Sequence, residues 1–274
     1  MSISPDEIMV VCMSRQIKDG EVVTQGLATP LVAAAYLLAR RTHAPNLYFT
    51  SAVGQGISSQ PAPLGLTRVE ELWLDRSIIT VGFVRAVVEM LPRLRPVEFF
   101  RPAQVDSAGN FNNIAIGRSY HQPRLRLPGT GGIPDVTTYS DHVYLYVPRH
   151  SRVTFVPRLD FVSGLGHHPA RRQGSGPRYL VSDLGQFDFG GHDANGQPSI
   201  RLTSLHPGVD LAQIQAHTGF ELQFAADLDT TPLPTAEEIE LLRSEIDPLG
   251  IRQLELLSGA ERRRKLHEIF AREA

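Results

Sequence analysis

The stretch from residue 22 to residue 50 constrains the fold more than any other. Val22, Val23 and Thr24 form a short β-branched run of the kind that makes a buried strand. Turn chemistry follows over 26–30, and the alanine-rich run 31–41 predicts a helix. Pro45 breaks that pattern, and Leu47, Tyr48, Phe49 and Thr50 make a second strand. Strand, glycine turn, helix and strand compose a βαβ unit, so the class is α/β and the sheet is expected to be parallel.

The flanks extend the pattern. Ser4, Pro5, Asp6 and Glu7 combine a cap, a proline at the first helical position and the last member of a capping box, and so predict an N-terminal helix with Gly20 as its stop. Further strands are expected near Ile78 and over 97–100, 143–146, 179–181 and 200–203. Helices are expected over 84–91 and over 211–217, the latter capped by Asp210 and closed by Gly219. Thr235 with Glu238 and Ser258 with Glu261 start two more. The proline-rich piece 231–234 is a candidate linker between a body over 1–230 and a helical arm over 231–274. Residues 51–67 carry small residues, glycines and prolines without a regular period, and read as one irregular loop. It follows a strand at the place where open α/β sheets hold ligands, with a plain surface loop as the alternative.

Composition removes several classes of function. With 27 basic and 29 acidic residues and a net charge of −2, nothing points to nucleic acid. Cys12 stands alone, so no internal disulfide framework is expected, and a reducing cytosol fits. No apolar run approaches the roughly 20 residues of a membrane span. The N-terminus reads as a capped helix and not as a signal peptide. A soluble cytoplasmic protein is the expectation.

Three segments could carry chemistry. The first is Ala52-Val53-Gly54. The second is Gln104-Val105-Asp106-Ser107-Ala108-Gly109-Asn110-Phe111-Asn112. The third is Gly129-Thr130-Gly131-Gly132-Ile133. Little side-chain bulk lets a ligand approach the third closely, and successive N–H groups there can converge on an anionic oxygen. Each is also readable as a turn and nothing more.

Their order and wording resemble the β subunit of glutaconate CoA-transferase and its relatives among the family I CoA-transferases. The likeness includes Leu27-Ala28-Thr29-Pro30-Leu31, His43-Ala44-Pro45-Asn46, Asp160-Phe161-Val162-Ser163, Val181-Ser182-Asp183-Leu184-Gly185, Thr218-Gly219-Phe220-Glu221-Leu222 and Glu245-Ile246-Asp247-Pro248. It runs from about Glu7 to Pro248, and its most specific parts are the second and third segments. The resemblance implies a CoA-transferase-like (NagB/RpiA-like) open sheet flanked by helices, with a C-terminal helical arm. It also implies an acyl-CoA substrate, no further cofactor, and an α-type partner forming αβ or α2β2.

The same resemblance places the family's nucleophilic glutamate at Ala52. No Asp or Glu occurs between Glu21 and Glu70, so a small register slip does not restore it. Where the family writes Thr-Ser-Pro-Gly, this chain has Ser163-Gly164-Leu165-Gly166, which is similar to the branch containing the steroid ring-cleaving hydrolase. That branch places its essential glutamate on the α subunit. The implied site has backbone oxyanion donors at Val53, Gly54, Gly131 and Gly132. Its expected CoA or substrate contacts are Gln104, Asn110, Gly129, Thr130, Ile133, Ser163, Gly164, Gly166 and His167. Hydrolysis, including carbon–carbon cleavage, is the expected chemistry. CoA transfer with a partner carboxylate and a non-catalytic chain that only binds CoA esters are the alternatives.

Other polar residues have plainer expectations. Adjacent His167 and His168 diverge, and His192 and His206 lack ligand spacing, so no metal site is expected. Arg171 and Arg172 are either phosphate contacts or a solvated loop. Asp106 and Asp183 sit in turns where a backbone role competes with an acid role. Cys12 is expected in the core.

Overall fold

The first helix, α1 (Pro5–Ser14), starts where the cap predicts, and Glu7 Oε2 accepts from Ser4 N at 2.9 Å. It is buried from Asp6 to Ser14, and Cys12 lies inside it at 2% exposure. The βαβ unit then forms as β1 (Val22–Gln25), α2 (Pro30–Arg41) and β2 (Tyr48–Ser51). A computed structural model of the chain describes residues 2–26, 29–51, 56–60, 63–67, 75–171 and 173–273. These fall into two units, Met1–Glu98 with Leu233–Ala274, and Phe99–Pro232.

In the first unit, β2 and the start of β5 (Val97–Phe100) lie on either side of β1, parallel to it. The sheet is mixed, not parallel throughout. The loop expected over 51–67 contains β3 (Gly56–Ser58), which runs antiparallel to β2, and β4 (Ile79–Thr80) follows antiparallel to β3. The helix expected over 84–91 is a longer helical run over 83–94 with a π-helical middle at Ala86–Met90. Tyr36 of α2 ties the layers together: its hydroxyl lies 2.9 Å from Thr24 O and 3.2 Å from Val97 O.

The second unit begins with two small ribbons, β6 (Gln104–Val105) with β7 (Phe111–Asn112), and β8 (Ala115–Ile116) with β9 (Leu125–Arg126). Next come α3 (Ile133–Tyr139), β10 (Val143–Val147) and β11 (Pro177–Ser182), the two strands being parallel. β12 (Gly185–His192) and β13 (Pro198–Leu205) add antiparallel neighbours. After α4 (Leu211–His217), β14 (Gln223–Thr230) joins β13 in parallel. Asp210 caps α4 as expected, accepting from Gln213 N at 2.7 Å. Leu145, Phe155, Leu180, Phe187 and Leu202 are fully buried in the core of this unit.

At Leu233 the chain re-enters the first unit. Thr235 and Glu238 form their reciprocal box, with bonds of 3.1 and 2.7 Å, and start α5 (Ala236–Glu240). A π-helical Leu241–Ile246 and a 3-10 turn Ile251–Glu255 lead into α6 (Gly259–Glu273). This segment is held by charge. Arg252, 3% exposed, meets Asp6 at 2.7 Å, Glu7 at 3.1 Å and Asp247 at 2.9 Å, and Arg243 meets Glu7 at 2.6 Å. Glu255 reaches the start of α2 and accepts from Leu31 N at 2.9 Å, a carboxylate on the positive end of a helix.

Candidate functional site

The second segment folds around Asp106. Its Oδ1 accepts from Ala108 N at 3.1 Å and Asn110 N at 2.9 Å, and its Oδ2 accepts from Asn110 Nδ2 at 3.0 Å. Three donors at one carboxyl close the tight turn between β6 and β7. Burial pushes this carboxyl up, and the Asn110 and Ala108 hydrogen bonds work against the rise. Asn110 Oδ1 in turn accepts from Gly166 N at 2.8 Å. Gln104 accepts from Asn112 Nδ2 at 2.7 Å and donates to Asp160 Oδ2 at 3.2 Å, while Asp160 also accepts from Gly117 N at 3.0 Å. Buried polar groups must be satisfied; the side chains of Gln104 and Asn110 meet that need inside this knot.

Residues 163–167 form a strap laid on the same knot. Ser163 N donates to Phe111 O at 2.8 Å, Phe111 N donates to Gly164 O at 2.9 Å, and His167 N donates to Ala108 O at 2.8 Å. The fit leaves no room. A β-carbon at Gly164 would lie 2.2 Å from the Phe111 ring, and one at Gly166 would lie 2.3 Å from Ala108 O. Ser163 Oγ accepts from Asn113 N at 2.9 Å, and the His167 ring bonds Pro177 O at 2.8 Å through Nε2. Arg171 spends its guanidinium on carbonyls of the loop: on Gly166 O at 2.9 Å, on Gln173 O at 2.9 Å and on Leu165 O. That is neither of its expected roles. Arg172 lies outside the described residues.

The third segment is different in kind. Gly129 N anchors it to Asn113 O at 3.0 Å, and Ile133 N closes the turn on Thr130 O at 2.9 Å. Gly131 has φ +49°, a conformation that favours glycine, and Gly132 sits just ahead of α3. Among the described residues, nothing lies within 4 Å of a β-carbon built at Gly129, Gly131 or Gly132. This backbone is open, whereas the strap and knot are filled. Ile133 itself packs against the core and fixes the end of the loop.

In the first unit, β1 and β2 end beside each other, with Gln25 in register with Ser51. Thr50 Oγ1 donates to Thr24 Oγ1 at 2.7 Å, and Thr24 Oγ1 donates to Thr50 O at 3.2 Å. Ala52, Val53 and Gly54 lie outside the described residues.

The buried histidines of the second unit serve packing. His150 stacks on Phe155 with ring centres 3.7 Å apart and bonds Ser182 and Thr218, each at 3.0 Å. His206 bonds Thr231 at 2.9 Å and Ser182 O at 2.8 Å. Burial lowers their pKa values to about 3 and about 4, so both are neutral. Burial pushes the Asp183 carboxyl up to about 6, and its Oδ1 accepts from His150 N at 2.7 Å. Glu98, which sequence reasoning missed, is a further perturbed acid, in the first unit: burial alone pushes it up to about 8. Its only signal in the chain was a charged residue inside the run Val97-Glu98-Phe99-Phe100. Among the described residues no three His, Cys, Asp or Glu side chains come together in a way that could hold a metal ion.

Comparison with known proteins adds a frame for this geometry. A family model described as coenzyme A transferase matches residues 7–173. The chain is 32% identical over 264 residues to the B-type chain of 3-oxoadipate CoA-transferase from Pseudomonas knackmussii, covering 88% of this chain and 92% of the relative. It is 32% identical over 243 residues to the cholesterol ring-cleaving hydrolase IpdB subunit of Rhodococcus jostii, covering 86% and 89%. Among solved structures it resembles a chain of the decarboxylase AibA/AibB, with 33% identity and a TM-score of 0.77 over 92% of this chain and 98% of that one.

Proposed function

The chain belongs to the coenzyme A transferase family as a B-type subunit, and from that premise we propose that it works in a two-subunit hydrolase acting on a CoA thioester, with the reacting carboxylate supplied by an α-type partner. The observation that carries the proposal is Ala52. It stands where the family resemblance puts a nucleophilic glutamate, and no acidic residue lies between Glu21 and Glu70 to replace it. Alanine cannot attack a thioester. Similarity both to transferase subunits and to proteins named as a hydrolase and a decarboxylase fits a family in which one scaffold supports several reactions.

The site residues divide by what their surroundings allow. Gln104, Asn110, Ser163, Gly164, Gly166 and His167 hold the knot and strap in shape. Gly129, Thr130, Gly131 and Gly132 offer the accessible face, where the N–H groups of Gly131 and Gly132 can stabilise an oxyanion formed from the substrate carbonyl. Val53 and Gly54 are proposed as a second pair of donors. Similarity to a 3-oxoadipate CoA-transferase chain favours one alternative, transfer of CoA through a partner carboxylate.

The test uses this chain co-expressed with an α-type subunit of the family. Size-exclusion with light scattering should show αβ or α2β2. Given acetoacetyl-CoA in heavy-oxygen water, the complex should consume the thioester without any added acid acceptor and place the label in the product acid. Turnover only when a free carboxylic acid is present would replace hydrolysis by transfer.

A further inference from the structure

The ribbon of β8 and β9 has the open glycine turn at its base and a group of arginines toward its tip. Its strands pair Ala115 with Arg126 and Ile116 with Leu125. The pairing continues to the base, where Leu127 N donates to Ile114 O and Gly129 N to Asn113 O, each at 3.0 Å. The open turn at 129–132 is therefore a direct continuation of β9 within the second unit. Arg126 lies five residues before Gly131, and a chain of that length spans at most about 18 Å.

The tip is basic. Arg118, Arg124 and Arg126 are exposed, and no Asp or Glu occurs between Asp106 and Asp135. Gly117 has φ +121°, and a β-carbon there would lie 2.9 Å from Arg124 N, so Arg118 and Arg124 leave adjoining stretches of backbone. The Arg126 guanidinium is held ready. It lies 4.5 Å from the centre of the Tyr120 ring and donates to Tyr120 O at 2.7 Å, and the Tyr120 ring meets Phe161 edge-on at 6.1 Å. That use leaves other donors of its planar fork available. Among the described residues Arg118 and Arg124 have no hydrogen-bond or ion-pair partner. Asp160, the carboxylate that touches the ribbon, accepts from Gly117 N at 3.0 Å and from Gln104 Nε2 at 3.2 Å. Like charges gathered in this way repel one another and add nothing to the fold, whereas an anion among them is attracted by all three.

We propose that Arg118, Arg124 and Arg126 bind the phosphate groups of the substrate's CoA moiety, so that the pantetheine arm runs along the ribbon and brings the thioester to the open turn. The proposal rests on a CoA thioester being the substrate, as in the function proposed above, and holds for hydrolysis and transfer alike. An arginine fork matches phosphate oxygens with paired, charge-assisted bonds. The turn next to it offers backbone N–H groups to a carbonyl. Two such sites joined by one short run of chain suit a ligand whose anionic and reactive ends lie at opposite ends of a long, flexible arm.

The experiment compares two thioesters on the two-subunit complex: acetoacetyl-CoA, and acetoacetyl-N-acetylcysteamine, which keeps the thioester and lacks the phosphates. Arg118→Gln combined with Arg124→Gln should lower kcat/KM for acetoacetyl-CoA about tenfold or more, through KM, and should erase that much of the preference for it over the truncated thioester. In calorimetry, free CoA should bind the variant more weakly by a similar factor. The parent's affinity for CoA should fall as salt rises, and the variant's should fall less. An equal loss on both thioesters would mark a structural role and overturn the proposal. Parent-like affinity for CoA in the variant would overturn it too. So would failure of the variant to assemble with the α-type subunit in size-exclusion, which would make the ribbon a partner surface. A complex that only transfers CoA would sink the hydrolytic function, and the comparison of CoA binding would still decide this proposal.

Discussion

Gly132 and Gly164 are both glycines of family-like loops, yet their surroundings demand opposite outcomes. A side chain at Gly132 meets none of the described residues, and its φ of −85° suits any residue. Gly132→Val should therefore shift stability by no more than about 0.5 kcal/mol, as at an ordinary surface position, while blocking the approach of a thioester. Melting curves and CoA-ester binding check both halves. A side chain at Gly164 meets the Phe111 ring. Gly164→Ala should cost about 1–3 kcal/mol by overpacking, seen as a lower melting temperature. The sequence offered both loops as ligand loops on the same ground of resemblance. It could not separate them, because the ring that fills one lies 53 residues away in the chain. Gln104 and Asn110 show the same limit: their residue types signal a turn or a contact, and only the partners at Asp160, Asn112 and Gly166 decide for the turn.

At the scale of elements, most strands and helices were legible because the signals are local. Proline at the first turn, two capping boxes and the run over 97–100 all mark elements that form. β12 and β14 were missed. The first spells Gly-Gln-Phe-Asp-Phe-Gly-Gly-His and the second Gln-Phe-Ala-Ala-Asp-Leu-Asp-Thr, with few β-branched residues. They are strands because β11 and β13 offer them partners, which is tertiary context. The buried histidines at the strand ends give this layer a pH response. Below about pH 6.5 the unfolded chain protonates His150 and His206, while the folded chain keeps them neutral down to about 3 and about 4. The unfolded state then binds more protons, so this stability is complete above 6.5 and is lost as the pH falls toward 4. Asp183, raised to about 6, acts in the opposite sense, so a difference measurement is needed. The loss in melting temperature between about pH 7 and about pH 4.5 should be smaller in His206→Gln than in the parent chain. An equal loss would remove His206 from that response.

Across the whole molecule, the C-terminal segment is not an isolated arm in energetic terms. Arg252 is buried among three carboxylates contributed by α1 and the turn at Asp247. Burial opposes ionisation of Glu7, yet hydrogen bonds from Arg243 and Ser4 and the charge of Arg252 carry its carboxyl down to about 2. Arg252→Ala leaves those charges stranded and should cost about 3–5 kcal/mol in denaturant unfolding. Arg41→Ala, which breaks an exposed pair with Glu245, should cost about 0–1 kcal/mol. The sequence placed helices in this segment but not their attachment, since a charge pattern does not reveal which charges are buried. Membership of the family was legible because its motif residues build turns of fixed shape. The chemistry was legible only as an absence, the alanine at position 52. The most direct measurement is therefore a search for a covalent intermediate. The two-subunit complex is incubated with acetoacetyl-CoA and quenched with borohydride, and the intact mass of this chain is read. The mass should be unchanged and the activity unharmed; a thioester-dependent adduct on any residue of this chain would contradict the account.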